Sequence, residues 1–174
     1  DEGDNGGEGP NEDAPVSYVL GSGNTNMPSS GTIIAQYADA PVGSEIRRLV
    51  DDNADTKYVT YHSSFNITWN GNSSKAVTAY SLTSAADTPE MDPKDWTLYG
   101  SNDNTTWTEL DAQTNQLFAA RKEEKSYEVD NATSYRYYRL SVEANNGGAA
   151  TQIAEWKLVA MRSYTENIND LIAS

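Results

Sequence analysis

The chain has 174 residues, one domain's worth and enough to bury a core without covalent staples. It has no cysteine and one histidine, which excludes disulfides, thiolate chemistry and His-rich zinc sites. Twelve Lys and Arg against 26 Asp and Glu give a net charge of −14, a poor match for nucleic acid or anionic lipid, and no apolar run approaches the roughly 18 residues of a membrane span.

Residues 1–13 carry Asp1, Glu2, Asp4, Glu8, Glu12 and Asp13, three glycines by residue 7, and no base. Like charge with so little apolar surface cannot support a core, so residues 1–15 are predicted to be a disordered leader. The segment resembles the acidic, Gly-rich stretch after the lipidated cysteine of outer-membrane lipoproteins in Bacteroidetes-like bacteria. That resemblance implies an extracellular or surface-anchored location. A plain solvated linker is the alternative.

Residues 16–162 read as short strands between turn-rich loops. Thr32–Tyr37 is β-prone. Ala76–Thr83 alternates, and so does Trp96–Gly100. Ser126–Val129 and Tyr135–Val142 follow, then one long final strand over Thr151–Met161. Asn, Asp, Gly and Ser cluster at Gly21–Gly23, Asn70–Ser74, Ser101–Thr105 and Asn145–Gly148. The spacing argues an all-β sandwich. Gln116–Lys125 is assigned a helical turn. Over residues 163–174, Tyr164, Ile168, Leu171 and Ile172 recur at helical spacing, so a short helix is expected, leading into a further domain or packing back on this one.

Two segments carry chemistry. Arg48-Leu49-Val50-Asp51-Asp52-Asn53-Ala54-Asp55-Thr56 gathers carboxylate, amide and hydroxyl oxygens in a tight turn. Such oxygens suit a hard cation such as Ca²⁺, or simply cap strands. Ile153-Ala154-Glu155-Trp156 places a lone acid in an apolar strand. If buried, that carboxylate needs a partner, and a metal is one; a solvent-facing edge position is the alternative.

The run Trp96-Thr-Leu-Tyr-Gly-Ser-Asn-Asp-Asn-Thr-Thr-Trp107, then Tyr135-Arg-Tyr-Tyr-Arg-Leu140, then Gln152-Ile-Ala-Glu-Trp156, resembles a discoidin domain. This is the coagulation-factor type C fold, which includes the family 32 carbohydrate-binding modules. The match spans about residues 30 to 161. It implies an eight-stranded jelly-roll β-sandwich of the galactose-binding type. It also implies a structural Ca²⁺. The side chains of Asp51, Asn53, Thr56 and Glu155 and the carbonyls of Arg48 and Ala154 would hold it. Asp52 and Asn104 stand where the family has Gly, and Asn tolerates the left-handed backbone that turn needs.

The resemblance implies glycan binding through loops at one end of the sandwich. An aromatic ring covers the apolar C–H face of a sugar, and fixed polar groups read its hydroxyls. Tyr61, His62, Asp87, Glu90, Arg121 and Asn146 are the candidate contacts. Solvated loop positions are the alternative for His62, Asp87 and Glu90, and an ion pair with Glu123 or Glu124 for Arg121. Trp96, Trp107 and Trp156 read as core, and Trp69 as core or edge. Nothing in the sequence supports catalysis by this chain. The expected function is a non-catalytic carbohydrate-binding module of a secreted or surface-anchored bacterial protein, with a glycan or glycoconjugate as partner. A protein-adhesion module or a ligand-free spacer is the alternative. No nucleic acid and no direct membrane insertion are expected.

Overall fold

The computed structural model describes residues 13–160 and residue 172. The predicted leader and C-terminal helix therefore lie almost wholly outside the described residues. Within them, β1 (Val16–Leu20), β2 (Gly31–Ala35), β4 (Phe65–Lys75), β9 (Tyr135–Asn145), β6 (Pro93–Ser101) and β7 (Thr108–Gln113) form a six-stranded antiparallel sheet in that order. Against it lie a three-stranded sheet, β11 (Glu155–Ala160), β5 (Val77–Thr83) and β8 (Glu124–Glu128), and a pair, β10 (Thr151–Ile153) with β3 (Tyr58–Thr60). The described residues thus form an all-β jelly-roll sandwich, with eleven strand segments where eight were expected.

Alternation builds the core. Ile67 and Trp69 of β4, Tyr138, Leu140 and Val142 of β9, and Trp96 and Leu98 of β6 turn inward from the large sheet. Tyr80 and Leu82 of β5 and Trp156 and Leu158 of β11 meet them from the other layer. Burying each of these large side chains is worth ~1.5–3 kcal/mol. Two of the polar groups are paired across the layers, while the buried Trp156 Nε1 has no hydrogen-bond partner. The Trp96 indole donates to Tyr80 Oη at 2.9 Å, and the Val77 N–H donates to Tyr138 Oη at 3.0 Å.

Four sequence expectations change. The final strand is not continuous. It breaks at Ala154, whose N–H donates to the Thr83 carbonyl at 2.9 Å, so Gln152 pairs with Val59 in one sheet and Trp156 with Leu82 in another. Asn70–Ser74 is not a turn but the polar end of β4, where the pairing with β9 shifts register. Gly31 lies opposite Gly71 there, and a Cβ at Gly31 would stand 2.4 Å from the Asn70 carbonyl oxygen and 2.7 Å from the Trp69 ring. Only glycine allows that approach. Gln116–Lys125 forms no helix. Residues 116–123 are an irregular loop pinned by buried Phe118 and by the Lys125 ammonium on Gln116 and Leu117, and Glu124 and Lys125 already begin β8. Trp107 is not core. It lies half-buried under the Arg139 guanidinium, 4.1 Å from the ring centroid. Trp69 is core.

Two turns behave as their residues predict. Asn104 takes φ +58°, so the Asp103-Asn104 turn keeps the left-handed geometry. Asp103 accepts backbone N–H groups of Thr106 and Thr105, which pull its pKa down to about 2. Asp52 also takes a left-handed φ, +52°, and its carboxylate is held by Lys157 at 2.7 Å and Thr25 at 2.9 Å.

Candidate functional site: a loop cluster and an acidic turn

The β3–β10 pair sets the site. Thr60 lies opposite Thr151 and Val59 opposite Gln152, so the loops leaving these strands emerge side by side. The loop after β3 carries Tyr61 and His62. Tyr61 is 60% exposed. Its backbone N–H donates to Asp39 Oδ2 at 2.8 Å, and the Thr60 hydroxyl reaches Asp39 Oδ1 at 2.9 Å. The Asp39 side chain is only 5% exposed and also faces His62 Nε2 at 3.5 Å. The His62 ring stacks on Tyr37, with centroids 3.6 Å apart and planes within 13°. Both rings are therefore oriented before any ligand arrives. The His62 carbonyl accepts the Thr151 hydroxyl at 2.8 Å, and Thr151 in turn accepts the Asn145 amide at 3.1 Å.

That contact joins the His62 loop to the loop over residues 145–148. The Asn146 N–H donates to the Asp92 carbonyl at 3.0 Å, and the Gly148 N–H to the Glu90 carbonyl at 2.8 Å. A Cβ on Gly148 would sit 2.8 Å from that same carbonyl oxygen, so the two loops lock through a glycine. Asn146 and Glu90 themselves stay exposed.

Arg121 closes the cluster from the far side. Its guanidinium grips buried Asp92 with two hydrogen bonds, 2.9 Å and 2.6 Å, and donates to the Asp87 carbonyl at 3.2 Å. Hydrogen bonding to Asp92 raises its pKa. Its partner is thus neither Glu123 nor Glu124. Asp87 is tied by its carboxylate to Lys57 at 2.8 Å, which pulls the Asp87 pKa down, and Lys57 also reaches Gln152 Oε1 at 2.7 Å.

The structure therefore brings all six candidate ligand residues to one end of the sandwich. Tyr61, His62, Glu90 and Asn146 present their side chains there, while Arg121 and Asp87 are already engaged within the fold. Tyr37, Asp39, Lys57, Asp92 and Gln152 were missed by sequence reasoning. Tyr37 and Asp39 had a local signal, an aromatic and an acid ending a β-prone run. Lys57 and Gln152 had none, since their pairing comes only from strand register.

The acidic turn lies next to this end, with Thr56 directly before Lys57. The 3₁₀ helix Ile46–Val50, which includes Arg48, leads into it. Glu155 is buried just after the Ala154 break. Its Oε1 accepts the Asn53 N–H at 2.8 Å and its Oε2 the Asn26 amide at 2.6 Å. The Thr56 hydroxyl donates to Asp51 Oδ2, and the nearest cation to that oxygen is Arg48 at 3.8 Å. Burial, and then the neighbouring Asp51 carboxylate, push the Glu155 carboxyl up to about 8. Asn26 Oδ1 is buried with no hydrogen-bond partner. Two carboxylates thus come together beside the buried Asn26 side chain, and the side chains of Asp51, Asn53, Thr56 and Glu155 offer oxygen donors. This set fits a hard divalent cation. Among the described residues no three His, Cys, Asp or Glu side chains come together, so neutral oxygens would complete such a site.

Residues 32–156 match the F5/8 type C domain. A curated relative, a peptide-N(4)-(N-acetyl-β-glucosaminyl)asparagine amidase from Arabidopsis thaliana, is 46% identical over 80 residues, which is 43% of this chain. The chain spans only 11% of that protein's length. Among solved structures, a family 32 carbohydrate-binding module of Clostridium perfringens, in complex with GalNAc-β-1,3-galactose, superposes with a TM-score of 0.62 at 15% identity, covering 82% of this chain and all of that one. The family 32 module of Streptococcus pneumoniae EndoD superposes at 0.61 with 15% identity, covering 84% and 97%. A putative chitobiase fragment of Bacteroides thetaiotaomicron gives 0.59 at 16% identity, covering 71% and 79%. At these identities the superpositions establish the sandwich fold.

Proposed function

Because the chain belongs to the F5/8 type C domain family, we propose that it is a non-catalytic glycan-binding module that takes its ligand at the loops beside the β3–β10 pair. The observation that carries this reading is Tyr61, an aromatic ring left 60% exposed among pre-positioned polar groups. The ring supplies a platform for the apolar face of a sugar, worth on the order of 1 kcal/mol beyond the area it buries. His62, fixed between Tyr37 and Asp39, donates or accepts at a set position. Asn146 and Glu90 offer an amide and a carboxylate to further hydroxyls. Fixed partners of this kind discriminate epimers, since a misplaced hydroxyl leaves a polar group unpaired. That solved family 32 modules carry sugars, GalNAc-β-1,3-galactose in one case, supports the substrate class.

We further propose a structural Ca²⁺ at Asp51, Asn53, Thr56 and Glu155, with the carbonyls of Arg48 and Ala154. The orphaned Asn26 Oδ1 and the raised Glu155 carboxyl support it. The ion would supply the positive charge these groups lack and stiffen the turn that leads into β3. The test of function is a glycan-array screen of the chain beside Tyr61→Ala. Binding that the substitution abolishes is expected. No binding to plant, host or bacterial glycans overturns the reading in favour of an adhesion or spacer role.

A further inference from the structure

The outward face of the six-stranded sheet carries a cation that the rest of the fold leaves without an acid. Tyr138, Leu140 and Val142 of β9 point into the core, so Arg139 between them points out. Its guanidinium lies on the Trp107 ring, and its Nε–H donates to Thr68 Oγ1 at 3.0 Å. Among the described residues, no carboxylate lies within ion-pair distance of it. Burial lowers its pKa and no acid opposes that shift.

Arg139 lines a cleft of about 200 Å³ with Pro15, Ile34, Gln36, Asn66 and Thr68. The side-chain amide oxygens there are each already engaged by one donor. Asn66 Oδ1 takes the Ser141 hydroxyl at 2.7 Å, and Gln36 Oε1 takes the Asn66 N–H at 2.9 Å. Gln36 Nε2 donates to Tyr37 Oη at 3.2 Å and keeps its second N–H. The charge there is on the donor side: the terminal nitrogens of Arg139, with the side-chain amide N–H groups of Asn66 and Gln36 beside them. A half-buried cation with no acid among the described residues, flanked by amide donors, asks for an anionic acceptor. A carboxylate is such a group, and a guanidinium takes it with two parallel hydrogen bonds. Ile34 and Pro15 add an apolar wall, and the volume is below the range typical of larger ligands, which suits a single ring.

We propose that this cleft is a second ligand site, binding the carboxylate of one uronic acid residue on the Arg139 guanidinium. The choice of a sugar acid rests on the glycan-binding reading above, whereas the anion site rests on the sheet-face geometry alone. The experiment is an NMR titration of the chain, following the Arg139 Nε–H and Trp107 indole signals. The probes are galacturonic acid, galactose, acetate and N-acetylaspartate. Galacturonic acid is expected to shift both signals saturably, and about 0.5 M salt to weaken it several-fold. Galactose should leave both signals in place. Asn66→Ala, which spares the Arg139–Trp107 stack, should weaken galacturonic acid roughly three- to tenfold, a loss of one hydrogen bond. Tyr61→Ala should not change it. No saturable shift at Arg139 overturns the proposal. So does equal binding of acetate or N-acetylaspartate, which would make the cleft a bare anion hole. A galactose response at the loops without a galacturonic acid response at Arg139 sinks this site and leaves the loop site standing. A galacturonic acid response at Arg139 without a galactose response at the loops supports this site, and the glycan array alone decides the loop site.

Discussion

Removing the proposed Ca²⁺ should make the fold sensitive to rising pH, through Glu155. In the unfolded chain this carboxyl titrates near its ordinary value of 4.5, and in the folded, metal-free chain burial and Asp51 hold it up to about 8. A raised folded-state pKa means the native state holds the proton more tightly. The associated stability is therefore fully present below about pH 4.5 and is lost as pH climbs through 8. At 1.36 kcal/mol per pKa unit the ceiling is on the order of 5 kcal/mol, and because Asp51 shares the effect about half is the working figure. For a domain of this size that corresponds to a fall in Tm of roughly 5–10 °C. Thermal unfolding followed by circular dichroism, in chelator and in calcium, at pH 5 and pH 8.5, measures it. The fall should appear in chelator and be suppressed by calcium, which replaces the proton and releases it to solvent. Glu155→Gln should flatten the pH profile and remove the calcium effect together, since its amide is uncharged. Identical pH profiles with and without calcium would refute the assignment.

Tyr61→Ala should weaken glycan binding at least tenfold, about 1.4 kcal/mol, while leaving Tm unchanged, because the side chain is mostly exposed; calorimetric titration reads the first and a melt the second. Arg121→Gln strands the buried Asp92 carboxylate and should cost about 3–5 kcal/mol in denaturant unfolding, with Arg121→Lys recovering part of it. Gly148→Ala forces a Cβ against the Glu90 carbonyl and should weaken glycan binding several-fold with a loss of only about 1 kcal/mol of stability. Trp69→Ala empties a fully buried site and should cost about 3–5 kcal/mol.

The segments easiest to read from sequence were those whose structure is local. Trp96–Gly100 alternates because one face of the strand packs on the core, and that alternation is written in consecutive residues; in β5 Tyr80 and Leu82 follow the same rule while Val77 is buried out of phase with them. The left-handed turn at Asn104 is equally local. What could not be read is what the register creates. Nothing around Thr151 signals that the chain leaves one sheet and enters another at Ala154, because Ile153, Trp156 and Leu158 are apolar on both sides of the break. The polar end of β4 reads as a turn since its side chains face solvent beyond the core. Arg121 reads as the partner of its sequence neighbours, yet Asp92, 29 positions away, meets it. In the candidate site the exposed contacts were visible as loop residues near a motif. The groups that hold them, Tyr37, Asp39, Lys57 and Gln152, become functional only when β3 lies against β10.

Glycan binding is proposed at the loops beside β3 and β10. The most direct measurement is a backbone NMR titration of the chain with the best glycan from the array. Shift changes should concentrate at residues 61–62, 87–90 and 146–148 and be lost in Tyr61→Ala. Saturable shifts confined to any other surface, or shifts unchanged by that substitution, would contradict it.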